Sequence, residues 1–169
     1  PPLESFRAIA FGGDPHSSDL FMKDWRLHWK LRPDVVTKFL GVSVRTDANG
    51  FRGGAPRSGT RTVLCLGDST TFGWKVGESD AFPDRLQELL NTRANTGKPW
   101  SVLNAGVPGY TSLQLRWQSE DLIRRWKPEV VIVCVGNNEA WPVARSDRQV
   151  DGERRLARRL GPVLSASHF

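Results

Sequence analysis

Three short apolar runs, at residues 62–66 (Thr-Val-Leu-Cys-Leu), 100–103 (Trp-Ser-Val-Leu) and 130–135 (Val-Val-Ile-Val-Cys-Val), alternate with stretches of helical periodicity. Runs with so little polar alternation suit strands covered on both faces, as in parallel sheets. In the first interval Phe82, Leu86, Leu89 and Leu90 recur at helical spacing, with Asp80 as a candidate cap, Pro83 in a first turn and Gly97 at the exit. In the second, Thr111 and Gln114 make a candidate capping box; Leu115, Leu122, Ile123 and Trp126 mark one side of a helix that Pro128 stops. Strand, helix, strand, helix, strand predicts an α/β fold: a parallel sheet with helices on both faces and right-handed crossovers.

Composition narrows the function classes. The 169 residues are 38% hydrophobic and 25% charged, the balance of a folded domain rather than of a disordered tail. The sequence contains no run of about 20 apolar residues that would read as a membrane span, and it opens on Pro1-Pro2, as a piece of a longer polypeptide would. Half of the net charge of +6 comes from residues 145–159, where six arginines face Asp147, Asp151 and Glu153. Without interleaved aromatics or a recognition motif, this cluster reads as the solvated face of a helix at residues 151–164, with Leu156, Leu160, Val163 and Leu164 opposite, and no specific nucleic-acid partner is expected. Cys65 and Cys134 both lie in apolar runs and are expected to be buried free thiols, with no metal-ligand spacing.

The first 60 residues are rich in Gly, Pro and Asp and read as irregular. Trp25 and Trp29, four apart, could share a helical face packed on the main domain. Residues 45–53 look like a strand leading into an Asn-Gly turn at Asn49-Gly50.

In open parallel sheets ligands bind outside the carboxyl ends of the strands, so the loops after the three runs are the candidate site. The first, Gly67-Asp68-Ser69, offers a hydroxyl and a backbone amide; it is neither a phosphate-binding loop nor the Gly-x-Ser-x-Gly elbow. The second, residues 104–112, holds Gly106 and Gly109, where a main-chain N–H can approach a ligand without a side chain in the way. The third, Gly136-Asn137-Asn138-Glu139, offers an uncharged amide donor that can polarise a developing oxyanion. Each is also an ordinary turn composition when taken alone.

In this order, each following a buried strand, the three loops resemble the sequence blocks of the SGNH (GDSL-like) hydrolases, over about residues 60–140. The lead-in Asn49-Gly50-Phe51-Arg52-Gly53 resembles that of some bacterial members. The resemblance implies a three-layer α/β/α, flavodoxin-like fold whose C-terminal part is missing, with residues 1–59 as an N-terminal extension carrying the lead-in strand and 60–169 as an incomplete hydrolase-like domain. It implies a serine esterase with Ser69 as nucleophile. The oxyanion donors would be the Ser69 N–H, the Gly109 N–H (Gly106 being the alternative) and the Asn138 side chain.

No cofactor or metal is implied. The partner would be a small-molecule, carbohydrate or lipid ester, for which Phe72, Trp74 and Tyr110 are candidate cleft residues. An O-acyltransferase of the same fold and a non-catalytic binding module are the alternatives; localisation, membrane association and oligomeric state are left open.

Two departures stand out. Glu139 occupies a place where the family usually has Asp, and the Asp-x-x-His block that supplies the family's base does not occur. His16 and His28 precede the nucleophile and His168 has no Asp three residues before it. The isolated chain is therefore expected to be nearly inactive.

Overall fold

The computed structural model describes residues 17–54, 56–93 and 97–139. The arginine-rich segment 151–164, His16 and His168 lie outside the described residues. By internal contacts the chain divides into two units, and the described residues all belong to the one spanning Pro2–Glu139.

The N-terminal part is more regular than its composition suggests. A short helix α1 (Ser17–Leu20) leads into strands β1 (Phe21–Asp24) and β2 (His28–Leu31), then β3 (Val36–Phe39) and β4 (Val42–Arg45), which form two antiparallel hairpins. Trp25 and Trp29 therefore share no helical face. Trp29 is buried in β2, while Trp25 sits in the turn and is 87% exposed. The hairpin closes because Asp24 Oδ1 accepts from both the Arg26 and Leu27 N–H at 2.8 Å, a local alternative to helix that Asp favours. The Asn-Gly turn forms as expected. The Asp47 carboxylate accepts from the N–H of Asn49 and Phe51 at 2.8 and 2.9 Å, and Gly50 takes the positive φ of 78° that the turn needs.

The three apolar runs form β5 (Arg61–Gly67), β6 (Trp100–Gly106) and β7 (Val130–Cys134), all parallel, in the order β6-β5-β7. Between them lie α2 (Ser69–Phe72), a 3-10 turn (Glu78–Asp80), α3 (Phe82–Arg93) and α4 (Ser112–Trp126). Alternation along β5 assigns the faces. Val63 and Cys65 pack with Val102, Ile132 and with Leu86 and Leu90 of α3; Leu64 and Leu66 pack with Leu103, Ala105 and with Leu115, Leu122 and Trp126 of α4. Helices thus cover both faces, one per crossover. Both cysteines are free; Cys65 is buried and its thiol is pushed up to about 12, chiefly by desolvation, whereas Cys134 is half-buried.

Three local expectations fail. Asp80 belongs to the 3-10 turn and pairs with Arg85 instead of capping α3. Phe82 and Leu89 of α3 and Ile123 of α4, expected on the packed faces, are exposed. The third run is not covered on both faces: Val131, Val133 and Val135 are 38%, 58% and 41% exposed, because β7 is an edge strand among the described residues.

The hairpins are not an appendage to this sheet. One core cluster joins Phe21, Trp29, Leu31, Phe39, Val44 and Phe51 to Leu64, Leu66, Phe72, Leu103 and Tyr110. Burying side chains of that size contributes roughly 1.5–3 kcal/mol each, so the two segments stabilise one another.

Candidate active site

Register brings the three loops to one level. Gly67 at the end of β5 lies opposite Gly106 of β6 and Cys134 of β7. The chain leaves β5 toward one neighbour and returns to the other side of it, so this rim is the point where strand order reverses.

The first loop turns sharply into α2. Asp68 is fully buried and caps that turn, its Oδ1 accepting from the Thr70 N–H at 2.9 Å. Asp is a strong capping residue because its oxygen satisfies an amide that the helix leaves unpaired. Ser69 follows as the first helical residue, half-buried, and neither its hydroxyl nor its N–H has a hydrogen-bond partner among the described residues. The far end of the turn is held by Arg52, which is 2% exposed. Its guanidinium donates to the carbonyls of Phe72, Gly73 and Val76 at 2.5–2.6 Å.

The second loop is wedged beneath the first. A Cβ on Gly106 would lie 2.2 Å from the Phe72 nitrogen, so only glycine permits this approach. The Gly106 N–H is also occupied, donating to Asn104 Oδ1 at 3.1 Å. Gly109 differs: it stands in a turn at φ +83°, is half-buried, and its N–H has no partner among the described residues. Of the two glycines, this geometry favours Gly109 as a donor to a ligand.

The third loop fastens the other two. The Asn137 side chain donates to Thr70 Oγ1 at 3.2 Å. Asn138, buried, donates through Nδ2 to the Tyr110 carbonyl at 2.9 Å and, over a longer 3.4 Å, to Asp68 Oδ2. Glu139 accepts from the Ser112 N–H at 2.7 Å and from the Ser112 hydroxyl at 3.2 Å, tying this loop to the N-terminus of α4, where a carboxylate is electrostatically favoured. Ser69, Gly109 and Asn138 are thus joined through their immediate neighbours Asp68 and Tyr110 in one hydrogen-bonded rim.

The structure gives several residues of this rim roles that the sequence does not assign them. Asp68 as cap and Glu139 as staple carried a signal in their residue type. Arg52 and the Tyr110 carbonyl carried none, since their partners are distant in sequence. Phe72 and Tyr110 do not line a cleft. Both are completely buried, and burial raises the Tyr110 phenol well above its ordinary pKa; Trp74 is half-buried against Phe39. His28 is in β2 with φ +69°.

Residues 65–165, more than half of the chain, match the GDSL-like lipase/acylhydrolase family. The chain belongs to that family. It is 32% identical over 78 residues to thioesterase 1/protease 1/lysophospholipase L1 of Escherichia coli K12, a match covering 46% of this chain and 35% of that protein. The same protein from Escherichia coli O6:H1 matches to the same extent. The chain therefore spans about a third of the length of the curated relatives it matches. Among solved structures, AlinE4, an SGNH-hydrolase family esterase, is similar at 25% identity and a TM-score of 0.43, over 62% of this chain and 57% of that one. TesA is similar at 26% identity and the same TM-score, over 56% and 50%.

Proposed function

We propose that the protein to which this chain belongs is a serine acyl-ester hydrolase with Ser69 as its nucleophile. The supporting observation is that the Asn138 carboxamide bonds the Tyr110 carbonyl at 2.9 Å and stands 3.4 Å from Asp68, which brings together the loops bearing a serine hydroxyl and a glycine N–H that have no partner among the described residues. Ser69 Oγ attacks the acyl carbon and loses its proton to a base. The oxyanion accepts hydrogen bonds from the Ser69 N–H, the Gly109 N–H and the Asn138 amide; collapse expels the protonated alcohol or thiol, and water then releases the acid.

Asn138 donates inward before substrate arrives. Its 2.9 Å bond to the Tyr110 carbonyl anchors the carboxamide, while the 3.4 Å contact with Asp68 lies beyond normal hydrogen-bond length. The N–H that faces Asp68 is therefore the more weakly held of the two, and a small rotation of the whole planar carboxamide would offer it to the oxyanion.

Ester, thioester and lysophospholipid substrates are the first to assay, since the Escherichia coli relative is named for thioesters and lysophospholipids. The whole protein should hydrolyse at least one class, and Ser69→Ala should abolish turnover. Full activity in Ser69→Ala would refute the assignment. The isolated chain contains no Asp-x-x-His. Loss of the histidine base in serine hydrolases costs on the order of a millionfold, so these 169 residues alone should show only trace turnover.

A further inference from the structure

The hairpin β1-β2 precedes the segment matched by the family, yet it grips the Gly109 loop from both sides. Trp29 Nε1–H donates to the Pro108 carbonyl at 3.1 Å, immediately before Gly109. The Tyr110 hydroxyl, immediately after Gly109, donates to the Trp29 carbonyl at 2.6 Å. Both side chains are buried, and their rings meet edge to face at 5.8 Å. The Tyr110 carbonyl then receives Asn138 Nδ2 at 2.9 Å. The hairpin is itself pinned to α4, where Gln114 Nε2 donates to the Leu27 carbonyl at 2.8 Å and Arg26 reaches the Trp117 carbonyl at 3.0 Å and the side chains of Glu120 and Asp121.

We propose that Trp29 and Tyr110 are positioning residues for catalysis: their paired hydrogen bonds on either side of Gly109 fix the direction of its N–H, and the Tyr110 carbonyl fixes the Asn138 carboxamide. This inference rests on the oxyanion roles proposed above. A peptide N–H at φ +83° has no side chain to hold its plane, so its aim depends on the residues flanking it. Donors act on the developing charge from about 3 Å, and their positions must hold to within about half an ångström to do so. The two bonds place Gly109 between fixed points, at Pro108 and Tyr110, anchored to one strand residue. Trp29, outside the family's matched segment, thereby supports the Gly109 loop inside it.

The test uses the whole protein. Tyr110→Phe removes the hydroxyl and keeps the ring. Replacement of the Trp29 indole by benzothiophene removes the N–H and keeps the shape, and Trp29→Phe serves as a second variant. For each, kcat, KM, melting temperature and affinity for a phosphonate transition-state analogue are measured. Each variant is expected to lose about tenfold or more in kcat and in analogue affinity, with KM within about twofold, the pattern of lost transition-state contact. The double variant should lose less than the product of the single losses, because both bonds tie one loop to the same strand residue.

Lower melting temperatures with kcat and analogue affinity unchanged would overturn the proposal and leave the residues as core packing. The underlying reading fails differently. If Ser69→Ala or Asn138→Ala retains full turnover, the oxyanion assignment falls, and this inference with it. If those variants are inactive while the Trp29 and Tyr110 variants match the parent enzyme, only the positioning role falls.

Discussion

Asp68 and Asn138, far apart in sequence, face each other 3.4 Å apart at the end of the central strand. The same carboxylate caps the turn that carries Ser69, so one buried side chain serves two loops. Asp68→Ala removes the cap, which typically costs about 1 kcal/mol, and leaves Asn138 held only by the Tyr110 carbonyl. The expected result is a modest fall in the denaturation midpoint together with a fall in kcat, because the turn that carries Ser69 loses its cap. Unchanged kcat in a stably folded Asp68→Ala protein would separate the cap from the chemistry.

Asn138→Ala should lower kcat of the whole protein by about 100- to 1,000-fold, the usual loss for one oxyanion donor. Steady-state kinetics should show this with little change in KM. A loss confined to KM would place Asn138 in ground-state binding instead.

Arg52 predicts a stability effect. Its guanidinium satisfies three carbonyls at and just after the turn that carries Ser69, and burial lowers its pKa from the ordinary arginine value. Arg52→Met removes all three bonds; the Phe72 carbonyl keeps Asn104 Nδ2 at 3.3 Å and the Gly73 carbonyl the Val76 N–H at 3.4 Å, whereas the Val76 carbonyl loses its donor, at about 1–3 kcal/mol where water cannot reach it. A sharply lower urea midpoint is expected, with Arg52→Lys intermediate because one ammonium cannot span all three carbonyls. Equal midpoints for Arg52→Met and the parent would contradict this.

Asp84 predicts a pH effect. Desolvation, followed by the nearby Glu78 carboxylate, raises its pKa from 3.8 to about 6. The folded state therefore holds this proton more tightly than the unfolded chain, and the stabilisation is complete below about pH 4 and lost as pH rises through about 6. Asp84→Asn should stabilise the protein at pH 7.5 by up to about 3 kcal/mol, a ceiling that partial solvent access lowers. At pH 4 or below the advantage should disappear. Denaturation curves at the two pH values test this, and an Asn benefit present only in acid would reverse the sign.

Much of the sheet was legible because apolar runs such as residues 62–66 state their burial directly, and Gly67, Gly106 and Gly136 mark where they end. The hairpins were not. Asp, Gly and Pro in the first 60 residues read as irregular, and Trp25 and Trp29 fit a helical spacing, but tertiary packing of Phe21, Trp29 and Leu31 overrode that local pattern. The edge position of β7 was equally hidden, since the sequence of a strand does not say how many neighbours it has. At the site, residue types announced the serine, the glycines and the carboxamide. The bonds that aim them, from Arg52 to Phe72 and from Trp29 to Pro108, link positions with no periodicity between them.

Covalent capture of the nucleophile tests the central assignment most directly. The whole protein is treated with a fluorophosphonate, and the adduct is mapped by mass spectrometry of its peptides. A single phosphonyl group on Ser69, with hydrolysis lost in proportion to labelling and no adduct in Ser69→Ala, is the predicted result. Complete loss of hydrolysis with the adduct on another residue and Ser69 unmodified would contradict it.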